Sequence, residues 1–150
     1  MTTPAHERPR VVVGVDGSDG SKQALRWAAY VAASAGADIE AVTAWDFPLG
    51  YGWGTVPQDW SLAQDAEDNL RATVDSVLGV DRSTDVRLAV LEGNAARILL
   101  EQSAGAFMLV VGSRGHGGFT GLLLGSVSAS VAEHARCPVL VVHGDTNPPS

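Results

Sequence analysis

The sequence predicts a single three-layer α/β domain built on a five-stranded, mainly parallel sheet. Short apolar runs alternate along the chain with segments whose apolar residues recur at helical spacing. Two of these runs are continuously apolar, which is typical of strands covered by helices on both faces. The length of 150 residues suits one domain. With no repeat or linker, residues 1–150 are expected to form one domain, with its core at about 8–143 and disordered or flexible ends.

The first three elements predict a right-handed βαβ unit. Residues 10–15 form the first apolar run, and the turn-forming residues 16–20 follow it. From Ser21 the apolar period becomes helical, with Ser18 or Asp19 available to cap the start and Gly36 to close the end. Residues 38–45 supply the second strand.

The rest of the chain continues the alternation of helices and strands. Residues 61–64 have a capping-box pattern that opens a helix ending near Gly79. The later elements are a strand at 85–91, a short helix from 93–94 to 102, a strand at 107–111, a helix at 126–136, a strand at 137–143 and a polar tail at 145–150.

One long segment, residues 46–58, has no regular period and contains three glycines and two prolines. Five of the nine aromatic residues of the chain lie between Trp45 and Trp60. The segment is interpreted either as an apolar flap that packs on the sheet or on a partner subunit, or as a binding loop.

Composition excludes several classes of protein. Seventeen acidic residues against ten basic ones give a net charge of −7, which disfavours binding to nucleic acids. The single cysteine, Cys137, cannot form an intramolecular disulfide. Neither a signal peptide nor an apolar run of about 18 residues is present, so we expect a cytoplasmic protein without a membrane segment.

The candidate site lies where the first and fourth strands end, because parallel α/β sheets bind ligands beyond the carboxyl ends of their strands. Residues 112–126 contain six glycines and lead into a helix, a pattern typical of phosphate binding by backbone amides. Ser126 and Val127 can donate these amides, while Arg114 and His116 can contact phosphate. Asp16 either accepts hydrogen bonds from a ribose or caps the first helix.

The motifs of common enzymes are absent from the sequence. It has no P-loop, no complete dinucleotide fingerprint, no nucleophile elbow and no metal-binding pair of histidines or cysteines. Asp16 with His116 is thin support for an ATP-using enzyme, whether a slow ATPase, a kinase-like or an adenylating one. The pattern therefore favours binding over turnover.

The spacing Gly112-x2-Gly115-x9-Gly125-Ser126 resembles the phosphate-loop motif of the ATP-binding branch of the universal stress protein family. Residues 13–18, 92–96 and 137–142 resemble other parts of the same family. The resemblance implies a Rossmann-like fold of the adenine nucleotide alpha hydrolase type, with strand order 3-2-1-4-5.

The same resemblance implies a function and a set of binding residues. It implies ATP, with or without Mg²⁺, as the cofactor of a homodimeric stress sensor or regulator with little or no hydrolysis; cyclic AMP is the alternative ligand. The dimer would form through the last strand, at 138–143. The implied nucleotide contacts are Asp16 at the ribose, Val42 and Val111 beside the adenine, Gly112 against the ribose, and Gly115, Gly125, Ser126 and Val127 at the phosphates. The predicted cofactor-binding set also includes Val15 and the two loop residues considered above, Arg114 and His116.

Overall fold

A parallel five-stranded sheet forms the centre of the computed structural model, which describes residues 8–46, 62–79, 85–113, 125–144 and 146–149. Five strands and four helices alternate within these ranges. In chain order they are β1 (Arg10–Gly14), α1 (Asp19–Ala35), β2 (Asp38–Trp45), α2 (Leu62–Leu78), β3 (Val86–Glu92), α3 (Ala95–Gln102), β4 (Met108–Gly112), α4 (Ser126–His134) and β5 (Val139–Val142).

The strands lie in the order β3-β2-β1-β4-β5, and every neighbouring pair is parallel. Val13 of β1 is in register with Ala41 of β2 on one side and Val110 of β4 on the other. The predicted α/β class, the parallel sheet and the strand order are therefore confirmed. The edges of the sheet are β3 and β5.

Helices cover both faces of the sheet, which explains the continuously apolar central strands. On one face, α1 and α2 pack over the sheet through residues such as Leu25 and Leu70. On the other face, α3 and α4 bury Ile98 and Val131 against the sheet. Consecutive residues of β1 point into opposite cores, so both faces of the strand need apolar side chains.

The predicted helix boundaries agree with the structure to within about two residues. Ser18 caps α1 by accepting a hydrogen bond from the amide of Ser21, and Gly36 ends the helix with a φ of 66°. Asn94 caps α3 in the same way through the amide of Arg97. The capping-box residue Ser61 lies outside the described residues.

The largest boundary differences occur near the C-terminus. The last helix ends at His134 rather than at residue 136, because Ala135 is already extended. The last strand begins at Val139 rather than at residue 137, since Pro138 has no N–H to donate to a strand ladder. Beyond Asp46, the aromatic segment 46–58 lies outside the described residues.

Part of the C-terminal tail contacts α1. The carbonyl oxygen of Thr146 accepts hydrogen bonds from Gln23 Nε2 at 3.0 Å and from Trp27 Nε1 at 2.9 Å. Gln23 Nε2 also donates to Asn147 Oδ1 at 2.9 Å. Sequence reasoning predicts only a polar tail here and gives no sign of these contacts.

Across the part of the chain that the structure describes, no helix is both long enough and apolar enough to span a membrane.

Candidate functional site

The chain changes direction across the sheet between β1 and β4. From β1 it continues through α1, on one face of the sheet, to β2; from β4 it continues through α4, on the other face, to β5. Two adjacent parallel strands whose connections leave in opposite directions open a crevice at their carboxyl ends. The candidate site is this crevice.

Beyond β1, a network of short-range hydrogen bonds organises the turn into α1. Asp16 Oδ1 accepts hydrogen bonds from the backbone N–H of Ser18 at 2.9 Å and from the Ser18 hydroxyl. Ser18 Oγ in turn accepts from the Ser21 amide at 3.2 Å. Ser18 is therefore the helix cap, and the exposed carboxylate of Asp16 holds that cap in place.

The end of β4 approaches the beginning of α1 closely. A Cβ atom at Gly112 would lie 2.8 Å from the backbone carbon and oxygen of Gly20. A side chain at residue 112 would therefore push the strand and the helix apart. The next residue, Ser113, continues the sheet by donating its N–H to the carbonyl of Val142 in β5 at 2.8 Å.

The N-terminus of α4 differs from those of α1 and α3. Its N-cap is Gly125, and no side chain of the described residues accepts a capping hydrogen bond from the first-turn amides. The first turn also lacks an acidic residue. Gly125 has a φ of −71° and a ψ of 167°, an ordinary extended conformation that does not require glycine. What glycine provides here is the absence of a side chain at a helix end that carries partial positive charge and whose first-turn amides have no side-chain acceptor among the described residues.

The three valines predicted for the site are buried. Val15, Val42 and Val111 are 5%, 2% and 4% exposed, and the last two belong to the core under α3 and α4. The carbonyl of Val42 accepts a hydrogen bond from the N–H of Val15 at 2.9 Å. These residues thus shape the crevice chiefly through their backbone.

The other predicted residues divide into two groups. Asp16, Gly112, Gly125, Ser126 and Val127 lie at the ends of β1 and β4 or at the start of α4. Arg114, Gly115 and His116 lie outside the described residues.

Sequence reasoning missed two hydroxyl-bearing residues around the crevice, Thr43 and Ser128. Thr43 Oγ1 donates to the carbonyl of Val15 at 2.7 Å, and Ser128 Oγ donates to the carbonyl of Ser113 at 2.8 Å. The only signal for Ser128 is its position two residues after Ser126, on the side of α4 that also buries Val131.

The arrangement suits a ligand with two chemically different ends. The uncapped start of α4 can bind an anionic group, and the exposed carboxylate of Asp16 can accept hydrogen bonds from hydroxyl groups. Within the described ranges, no three His, Cys, Asp or Glu side chains are grouped so as to hold a metal ion.

Comparison with known proteins gives the same fold. A universal stress protein from Mycolicibacterium smegmatis is 34% identical over 142 residues, which cover 90% of this chain and 48% of that protein. The chain thus spans about half the length of the curated relatives it matches. Among solved structures, a universal stress protein in complex with cAMP is 34% identical, with a TM-score of 0.59 and coverage of 91% and 97% of the two chains. A universal stress protein from Lactobacillus plantarum is 21% identical, with a TM-score of 0.75 and coverage of 90% and 97%, and supports the fold alone.

The sequence profile of the universal stress protein family matches residues 7–143. This range contains every described helix and strand, from β1 to β5. With that match and these relatives, the chain belongs to the universal stress protein family.

Proposed function

We propose that the chain binds an adenine nucleotide, ATP in the first place, in the crevice between β1 and β4. The observation that carries this proposal is the start of α4, where an extended glycine leaves the first-turn amides without a side-chain cap among the described residues. A phosphate group supplies the acceptors that such amides lack.

Each wall of the crevice has a role in this proposal. The amides of Ser126 and Val127 and the hydroxyl of Ser126 bind phosphate oxygens, and Asp16 accepts hydrogen bonds from the ribose hydroxyls. The backbone of Gly112, at the end of β4, lies against the ribose. The backbone near Val15, Val42 and Val111 borders the adenine, and Arg114, Gly115 and His116 complete the phosphate site. Any Mg²⁺ would be bound through the phosphates.

Cyclic AMP is the second candidate, since a relative 34% identical over nearly the whole chain is in complex with it. The two ligands differ in a way that the crevice can detect. Cyclic AMP has its 3′ oxygen in the phosphate ring, so Asp16 would meet one ribose hydroxyl instead of two. Asp16→Ala is therefore expected to weaken ATP binding more than cyclic AMP binding.

The nature of the ligand can be tested directly. The purified protein is denatured, any released nucleotide is identified by mass spectrometry, and the nucleotide-free protein is titrated calorimetrically with ATP and with cyclic AMP. Ser126→Asp and Gly115→Val are expected to abolish ATP binding, the first by charge repulsion and the second by occupying phosphate space. Ala132→Asp, an identical charge change on the exposed side of α4 away from its start, is the control and should bind like the wild type. ATP binding that survives both site variants would contradict the proposal.

We also propose that the nucleotide regulates rather than reacts, and that turnover is slow or absent. Release of phosphate is measured over many equivalents of ATP in the wild type and in Asp16→Ala. Multiple turnovers that disappear in Asp16→Ala while ATP still binds would instead favour an enzyme.

A homodimer through β5 is the proposed assembly. All four residues of this edge strand are apolar and three are only half-buried, whereas the other edge strand, β3, carries Arg87 and Glu92. An apolar edge strand favours pairing with another chain. In sedimentation experiments Val141→Lys is expected to give a monomer, and Val90→Lys on β3 a dimer. Equal sedimentation of the two variants would refute this interface.

A further inference from the structure

Ser128 is a buried polar residue in the first turn of α4. It is 3% exposed and lies beside the apolar core that contains Val131. A buried hydroxyl is costly unless it is hydrogen-bonded, so its partners indicate why it is there. An alanine at this position would keep the helix and remove only the hydroxyl oxygen.

The hydroxyl of Ser128 reaches two carbonyl oxygens on opposite sides of the glycine-rich segment. Ser128 Oγ lies 2.8 Å from the carbonyl oxygen of Ser113, which directly follows β4. It lies 3.1 Å from the carbonyl oxygen of Gly125, the residue at the N-cap position of α4. The Ser113 carbonyl also accepts the amide of Gly125 at 2.6 Å. Ser128 thus reinforces the junction at which β4 and α4 meet.

The same junction is fixed to the sheet. Ser113 donates its N–H to the carbonyl of Val142 in β5, so the sheet holds its N–H while Gly125 and Ser128 hold its carbonyl. The orientation of the first-turn amides of α4 relative to the crevice depends on these bonds. The carbonyl of Gly125 also accepts the first backbone hydrogen bond of the helix, from the amide of Ala129. The helix therefore does not need the Ser128 hydroxyl to form.

We infer that Ser128 is a positioning residue for phosphate binding: it orients the uncapped start of α4 by bonding the carbonyls of Ser113 and Gly125. This inference rests on the proposed nucleotide binding. It assigns no ligand contact to Ser128, which acts through the amides of Ser126 and Val127.

The test compares ligands with and without phosphate. In Ser128→Ala, ATP should bind about three- to tenfold more weakly, the effect of losing one hydrogen bond, while adenosine should bind as in the wild type. Ser128→Thr, which keeps the hydroxyl, should restore most of the ATP affinity. A general loss of structure would weaken both ligands alike, and this outcome would overturn a positioning role.

Ser103 offers a matched control. It is 2% exposed, and its hydroxyl donates a local hydrogen bond to the carbonyl of Leu100 at 3.3 Å, at the end of α3. Ser103→Ala should leave the affinities for ATP and adenosine unchanged. A loss of ATP affinity equal to that of Ser128→Ala would show that any buried serine has this effect, and would overturn the inference.

A second measurement needs no ligand. Hydrogen exchange of the Gly125 amide, which is bonded to Ser113, should be faster in Ser128→Ala than in the wild type and Ser103→Ala. An unchanged exchange rate together with unchanged ATP affinity would refute the role of Ser128 while leaving nucleotide binding intact. A wild type that binds neither ATP nor cyclic AMP would instead refute the proposed function, and the positioning role with it.

Discussion

The starts of α1 and α4 lie at the ends of adjacent strands, yet they are built in opposite ways. At α1, Ser18 caps the helix, Asp16 bonds Ser18, and Asp19 places a negative charge in the first turn. At α4, the N-cap residue is Gly125, the first turn has no acidic residue, and no described side chain accepts a hydrogen bond from the first-turn amides. The first end has a side-chain acceptor for one of its amides, whereas the described residues supply none to the second, where we propose that phosphate binds.

The most severe disruption of this difference gives α4 a cap of its own. Gly125→Asp suits the extended conformation at this residue and places a carboxylate on the first-turn amides. We expect ATP affinity to fall about 100-fold or more, because the carboxylate competes for the amides and repels phosphate. Calorimetric titration measures the loss, and thermal unfolding should show a stability equal to or above that of the wild type. Undiminished ATP binding would mean that the start of α4 is not the phosphate site.

The next largest effect concerns the close contact between Gly112, at the end of β4, and the backbone of Gly20, at the start of α1. Gly112→Ala would place a Cβ 2.8 Å from the Gly20 backbone, and we expect the free energy of unfolding to fall by about 1–3 kcal/mol. Gly14→Ala is the control, since its Cβ would meet the movable side chain of Leu99 at 3.0 Å. Chemical denaturation should show a smaller loss for Gly14→Ala. An equal loss in both variants would show that the backbone contact is not the cause.

Removing the cap of α1 tests the other side of the comparison. Ser18→Ala leaves the Ser21 amide without its acceptor, and we expect a loss of about 1 kcal/mol in the free energy of unfolding. Ser126→Ala removes a serine near the start of α4 that caps nothing among the described residues, so urea denaturation should show a change below about 0.5 kcal/mol. If Ser126→Ala were as destabilising as Ser18→Ala, the two helix ends would not differ in their dependence on a serine side chain.

The smallest effect comes from the charge in the first turn of α1. Asp19→Asn removes a favourable interaction with the helix dipole and should cost about 0.3–1 kcal/mol at low ionic strength. Repeating the denaturation in about 1 M salt should reduce the difference, because salt screens exposed charges. A cost that does not depend on salt would point to a cause other than the dipole.

The sequence predicts the framework of the molecule better than the details of the site. Strand and helix periods follow from burial on two faces, so the order of elements and the caps Ser18, Gly36 and Asn94 can be found from local pattern alone. The motif glycines at 112 and 125 are equally visible in the sequence. Only the structure shows why each position is glycine: Gly112 lies against the backbone of Gly20, and Gly125 leaves the start of α4 without a side-chain cap among the described residues.

Contacts between distant parts of the chain could not be predicted in this way. The bond from Ser128 to Ser113 and those from Gln23 and Trp27 to Thr146 join segments whose sequences show no mutual pattern. Burial of Val42 and Val111 in the core also depends on where α3 crosses the sheet, which no local signal specifies.

The pairing of β1 with β4 has a consequence for folding kinetics. The β1-α1-β2 unit can form from neighbouring residues, whereas β4 joins β1 only after most of the chain is available. Closing so large a loop is slow, and the crevice exists only once it is closed. If the crevice is the proposed nucleotide site, only chains that have already added β4 and the start of α4 can bind nucleotide during synthesis. In refolding experiments, ATP should act on the late steps and leave the formation of the first unit unaffected.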